Sequence, residues 1–373
     1  MLHLTLFVSL MEHVRLTSPK YKVTRKTFLL PLIGLAAFII YIYIFKVDLQ
    51  EIIAEAQSVD PYFYSLAALS TLLDTFFFAF AWHSLLKFLS VKISRLKAII
   101  FVWIGVFVDT VVPAESVSGE ITKIYLVNKT QSGSTGKATA SIVAQRLIVM
   151  SLNIITLLVG AALLFFESQQ YMVLLVPVLA LVALTFLFLV LILLLCFKEN
   201  WSMRVLDGFI RFICWASRGR WKLEKIREDA LTAARAFHDA MRQYRHAPKT
   251  LFTATFLTTM SWVLTLAVFY FTFISLHYFQ ITWGTILIIS SIFVAVKSIP
   301  IGIPFEVGLP EIALSSLFII FGVPKEISFT ATILMRLLTL WLKFFVGFAA
   351  QQWMGIKGLE NEKTENTAES AQN

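Results

Sequence analysis

The sequence predicts an all-α polytopic membrane protein: about six transmembrane helices plus two oppositely oriented re-entrant hairpins in inverted-topology repeats. Three observations lead there. Hydrophobic residues are 58% of the chain and charged residues only 15%, whereas soluble domains carry about a quarter charged residues; the mean hydropathy is +0.78. Six apolar stretches, at 28–45, 61–89, 138–166, 171–197, 249–279 and 326–354, reach the ~20 residues that cross a hydrocarbon core. A punctuated motif also occurs twice, and paired interruptions in two halves of a membrane chain point to a transport site. Pro113, Glu115, Gly119, Glu120 and Arg146 form one copy; Pro304, Glu306, Gly308, Glu311 and Arg336 form the other.

Loop charge orients the elements in order. Residues 1–27 carry Arg15, Lys20, Lys22, Arg25 and Lys26 against Glu12, which places the N-terminal segment in the cytoplasm. The apolar run from Met1 to Leu10 is too short to span and no basic stretch precedes it, so no cleaved signal peptide is expected. Loop 46–60 holds Lys46 against Asp48, Glu51, Glu55 and Asp60, and is external. Lys92, Arg95 and Lys97 return the chain to the inside, and the turn Glu167 to Gln170 is outside. The 198–247 loop, with eleven Lys/Arg against six acids, is inside again.

This count leaves 98–127 entering and leaving by the cytoplasmic face. By the same reasoning 283–322 enters and leaves from outside. Each contains a short apolar stretch (98–112 or 283–299), a Pro/Glu break, and a partly apolar return (117–127 or 310–322). Units 61–166 and 249–354 are then inverted repeats inside one domain, 28–354, followed by a polar cytoplasmic tail, 355–373, whose composition predicts disorder. Irregular backbone at membrane depth must line protein or water, so both hairpin tips should face a cavity.

Charges within apolar helices are costly and mark function. Arg146 has Asn153 seven residues on, and Arg336 has Lys343 seven residues on, a spacing that keeps each pair on one helical face. Glu120 and Lys123 share a face at i, i+3, and Gly119 permits a tight turn before a helix whose amides could bind an anion. Lys297 is an isolated cation before the second break. A cavity with Lys123, Arg146, Lys297, Arg336 and Lys343 suits an anionic group such as phosphate, with Glu115, Glu120, Glu306 and Glu311 holding the cations when it is empty. Asp74, Asp109 and Asn153 are secondary candidates. No metal-ligand cluster, phosphate-binding loop or cofactor motif is present, and Cys196 and Cys214 lack ligand spacing.

In the cytoplasmic loop, Arg204, Arg211, Arg218, Lys222, Lys225 and Arg227 interleave with Trp201, Phe209, Phe212, Trp215 and Trp221. That pattern describes basic amphipathic helices on anionic inner-leaflet lipids. The net charge of +9 follows from such loops, and nucleic acid is not an expected partner. Nothing in the sequence excludes a homo-oligomer.

On Pro113, Gly119, Glu120 and Lys123, on Ala140, Gln145, Arg146 and Leu147, and on Phe321, Gly322, Pro324, Ala331, Arg336 and Leu337, the chain resembles the flippase-like family typified by the transmembrane region of lysylphosphatidylglycerol synthetase. The resemblance covers roughly 28–354. Two departures stand out: the family's second hairpin is usually richer in glycine than Pro304 to Gly308, and no soluble aminoacyl-transferase domain follows residue 354, so lysyl transfer is not expected. The resemblance implies a cell-membrane transporter that moves a lipid, or an anionic or polyprenyl-phosphate-linked headgroup, between leaflets. A membrane glycosyltransferase or accessory protein using polyprenyl-phosphate sugars, and a small-solute secondary transporter, are the alternatives.

Overall fold

A computed structural model describes Tyr43 and residues 49–112, 117–167, 172–199, 201–204, 208, 224–297 and 307–355. Among these there is no β-strand. The helices are α1 (Leu49–Gln57), α2 (Pro61–Phe88), α3 (Arg95–Val111), α4 (Val117–Thr130), α5 (Thr135–Glu167) and α6 (Met172–Phe197). There follow α7 (Glu224–Arg245), α8 (Pro248–Ser275), α9 (Trp283–Lys297), α10 (Leu309–Ile320) and α11 (Lys325–Gly355), the last containing a π-helical turn at Leu337–Leu342.

Five of these, α2, α5, α6, α8 and α11, are long and apolar enough to cross a membrane. They coincide with five of the six expected spans to within a few residues; the sixth, 28–45, lies outside the described residues apart from Tyr43. Proline starts both α2 and α8, where its missing N–H costs no intrahelical bond, and the Asp60 side chain caps α2 by accepting from Tyr62 N at 2.8 Å. The protein is therefore a multi-pass membrane protein. Its outer surface fits lipid: Leu179, Phe186 and Leu191 on α6 are exposed.

The helices α2 and α8 form the central pair and run antiparallel. Asp60 N, entering α2, donates to Ser275 O at the end of α8 at 2.8 Å. At the other end, Tyr244, just before α8, donates its hydroxyl to Leu85 O at 3.0 Å. Two hydrophobic clusters occupy the opposite ends of this pair. One gathers the end of α2 (Trp82, Leu85), hairpin α3–α4 (Phe101, Ile124), the start of α5 (Ile142) and the end of α11 (Met354). The other gathers the end of α8 (Phe273), hairpin α9–α10 (Ile288, Phe318), the end of α5 (Leu164) and the start of α11 (Met335).

Each hairpin closes on itself. Before α3, Lys92 N donates to the Gln131 side chain, just after α4, at 2.7 Å. Around the second hairpin, Tyr278 and Ile281 before α9 share a cluster with Phe321 and Val323 after α10. The two halves also interlock. On α5, a Cβ at Gly160 would sit 2.8 Å from Ile288 of α9; on α11, a Cβ at Gly347 would sit 2.6 Å from the Trp103 carbonyl of α3. Only glycine permits either approach.

The basic loop ends in α7, whose apolar face is spent on protein. A Cβ at Gly136 of α5 would lie 2.3 Å from Ala233 O, and Phe237, Met241 and Tyr244 are buried against the first cluster. Trp201, earlier in this loop, is exposed; residues 200, 205–207 and 209–223 lie outside the described residues.

Candidate functional site

Apolar helices give polar side chains few partners, so the polar groups of this bundle cluster. Between α2, α3, α8, α9 and α11 lies a cavity of about 300 Å³ lined by Asp74, Asp109, Lys297 and Lys343, with hydroxyls from Thr71, Thr110, Thr265, Ser290 and Thr339. Both halves contribute to it. Lys343 Nζ donates to Asp74 Oδ2 at 2.8 Å, and Ser261 Oγ donates to the other oxygen at 2.5 Å. Two cations and two carboxylates thus face one space, with hydroxyls able to donate or accept.

Asp109 also holds the first hairpin together. Its Oδ1 accepts from Gly119 N at 2.6 Å and from Ser118 Oγ at 2.8 Å, which satisfies donors at the start of α4. A Cβ at Gly119 would come within 2.3 Å of both Asp109 Oδ2 and the Gly105 carbonyl, so the close approach of α4 to α3 requires glycine; Gly119 lies inside α4 and not in the turn before it that the sequence suggests.

The duplicated spacing resolves into one construction used twice. Glu120 on α4 pairs with Arg146 on α5. Glu311 on α10 pairs with Arg336 on α11 at 2.5 Å. In the second copy Glu311 Oε2 also accepts from Gly308 N at 2.6 Å, the glutamate half of a capping box, at a glycine with φ 106°. In each half, the second hairpin helix is therefore tied to the long helix that follows. The copies differ in burial: the Arg336 side chain is 4% exposed and that of Arg146 44%.

The remaining candidates fall in several places. Lys343 and Lys297 line the cavity, as do Asp74 and Asp109. Lys123 is buried, with its ammonium 5.4 Å from the Trp82 ring centre and 5.7 Å from that of Phe78, a cation–π setting away from the cavity wall. Asn153 is buried on α5, and its Oδ1 has no partner among the described residues. Arg146 and Arg336 are engaged with Glu120 and Glu311 and do not line the cavity. Glu115 and Glu306 lie outside the described residues.

The helix between Arg336 and Lys343 is not regular. Seven residues keep Arg336 and Lys343 on one face only if the turn between them is α-helical. The π turn at Leu337–Leu342 inserts extra chain per turn, and the two cations leave α11 towards different neighbours, Glu311 of α10 and Asp74 of α2. The cavity hydroxyls and Ser261 escaped the sequence reading. A signal for Ser261 existed: it stands thirteen residues after Pro248, as Asp74 stands thirteen after Pro61.

The sequence likeness extends over almost all of the chain. A family model described as the lysylphosphatidylglycerol synthase TM region matches residues 31–347. A UPF0104 membrane protein of Pyrococcus horikoshii is 26% identical over 343 residues, covering 91% of this chain and 98% of the relative. A UPF0104 membrane protein of Methanocaldococcus jannaschii is 22% identical over 341 residues, covering 89% and 95% respectively.

Proposed function

Because the chain belongs to the lysylphosphatidylglycerol synthase transmembrane-region family, we propose that it is a flippase-like transporter. Its cargo is an anionic or polyprenyl-phosphate-linked lipid headgroup, carried between leaflets. The cavity shared by both halves is the observation that carries this reading: Lys297 and Lys343 face it together, beside the Asp74 and Asp109 carboxylates. Cations at membrane depth are expensive and usually mark a pathway. A headgroup phosphate replaces Asp74 on Lys343, and the cavity hydroxyls complete its hydrogen bonds while the tails stay in the bilayer.

The hairpins supply the moving parts. By helix rise, α4 is about 21 Å long and α10 about 18 Å, against a hydrocarbon core of about 30 Å. Each is too short to cross alone, each folds back on its partner helix, and the two lie at opposite ends of the antiparallel α2–α8 pair. Re-entrant hairpins in inverted repeats, with cytoplasmic termini in the cell membrane, account for all three facts. Rocking one hairpin body against the other then opens the cavity alternately. The Glu120–Arg146 and Glu311–Arg336 pairs make each hairpin move with its long helix.

The test is headgroup accessibility of labelled polyprenyl phosphate and phosphatidylglycerol in proteoliposomes. One charge-assisted hydrogen bond contributes about 1.5–3 kcal/mol, so Lys297→Gln and Lys343→Gln should each slow movement by roughly ten-fold or more. The double variant Asp74→Asn/Lys343→Gln, which leaves no unpaired carboxylate, controls for folding. Wild-type rates in both single variants would sink the assignment.

A further inference from the structure

A second site lies on the lipid-facing flank, away from the charged cavity. The long helix α5 packs on α6 and on α8, but these two neighbours diverge and leave a groove of about 340 Å³ along α5. Its walls are Leu147, Leu152 and Ile155 of α5, Leu193 of α6 and Leu251 of α8. Ser151, the polar residue on its α5 wall, donates its hydroxyl back to Leu147 O at 2.8 Å. On that wall the groove therefore offers hydrocarbon surface and no free donor. At one end it is floored by α7, where Tyr244 and Arg245 complete the lining, and the Arg245 side chain is exposed.

We propose that this groove binds one acyl chain of an anionic phospholipid from the cytoplasmic leaflet, with the lipid phosphate on Arg245. Three observations select that occupant. The groove opens between membrane-crossing helices, so hydrocarbon fills it. Its α5 wall runs from Ala144 to Ile155, which is about 16 Å of helix and matches one leaflet of a core about 30 Å thick. Its charged end is a guanidinium, whose fork matches a phosphate, set where α7 turns into α8 on the basic side of the molecule. The leaflet assignment rests on the cytoplasmic orientation given above; the groove and its cation do not.

The bound lipid links α6, which packs chiefly on α5 and α7, to the rest of the bundle. It acts as a fixed component, separate from the transported headgroup.

The experiment uses the full chain in vesicles of phosphatidylcholine containing phosphatidylglycerol with a photoreactive acyl chain, read by mapping the crosslinked peptides. Labelling is expected to concentrate on Leu147–Ile155 and Leu189–Phe197, and to fall at least five-fold in Leu152→Trp, which fills the groove. Arg245→Gln, at an exposed position that the fold does not need, should remove the preference for phosphatidylglycerol over an equally photoreactive phosphatidylcholine. Lys343→Gln should change neither result, which separates this site from the transport cavity. Uniform labelling of the lipid-facing helices, unaltered by Leu152→Trp and Arg245→Gln, would overturn the proposal even if headgroup transport is intact. Absence of headgroup transport by the wild-type chain, with groove labelling intact, would instead count against the transport reading alone.

Discussion

Glu311→Gln should destabilise this protein far more than Glu120→Gln, although both remove the same half of the same repeated ion pair. Glu311 and Arg336 have side chains only 8% and 4% exposed, 2.5 Å apart. Glutamine keeps an oxygen for the Gly308 amide, so the cap of α10 survives and the change isolates the charge. Removing one partner of a buried pair costs about 3–5 kcal/mol, a factor of roughly 10² to 5 × 10³ in the unfolding constant. In the first copy, α5 has 33 residues and is about 50 Å long, so it overshoots a ~30 Å core by ~10 Å at each end. Arg146, eleven residues from its start, then lies within ~6 Å of the interface, inside the snorkelling reach of its side chain. Glu120→Gln should therefore cost up to about 1 kcal/mol, the range of solvent-reached pairs. The assay is reversible unfolding of the full chain in mixed micelles, followed by tryptophan fluorescence. The double variant Glu311→Gln/Arg336→Met should recover much of the single-variant loss, because the buried guanidinium that Glu311 faces is removed with it. Equal costs for Glu311→Gln and Glu120→Gln, or strict additivity in the double variant, would refute the reasoning.

Other outcomes follow from the same geometry. With native thiols replaced, Lys92→Cys and Ser132→Cys should both react with an impermeant thiol reagent from the cytoplasmic side, and Gln280→Cys and Lys325→Cys from the outside; opposite labelling within either pair would mean an odd number of crossings there and would sink the hairpin. Gly347→Leu should lower stability by ~1–3 kcal/mol through overpacking against Trp103 and Phe107, measurable as a lower melting temperature in detergent, whereas Gly133→Ala places a Cβ with no atom within 4 Å and is strained only by its positive φ. Asp109→Ala removes the acceptor for Gly119 N and should cost ~0.5–2 kcal/mol; faster hydrogen exchange confined to the start of α4 is the signature to look for.

Much of the architecture was legible because membrane crossing imposes a length, and length is visible in sequence. Helices α2, α5, α6, α8 and α11 announced themselves by long, predominantly apolar runs. The Glu120–Arg146 and Glu311–Arg336 pairs were legible because each pairing is set within one half, where a repeated spacing survives. The Asp74–Lys343 contact was not, because it joins the two halves. Helices α2 and α8 are apolar all round, so periodicity names no face and no register. Their antiparallel pairing brings Asp74 against Ser261, and only the packed bundle fixes that. The π turn was equally hidden: LLTLWL reads as ordinary helix, and the extra chain it accommodates appears only in the backbone.

That turn has a mechanical consequence. Both α5 and α11 run from one hydrophobic cluster to the other, like two struts joining two bodies. The strut α5 is unbroken α-helix throughout. In α11 the first residues, through Leu334 and Met335, belong to one body, and Ala350 and Met354 belong to the other. Between them Leu337–Leu342 departs from regular spacing, and Lys343 is the first residue beyond it. Any tilt of one body on the other bends a stiff strut and a jointed one together, so the flexure concentrates at the joint. The ammonium that meets Asp74 sits one residue beyond that joint, so on the proposed transport reading the contents of the cavity bear on it.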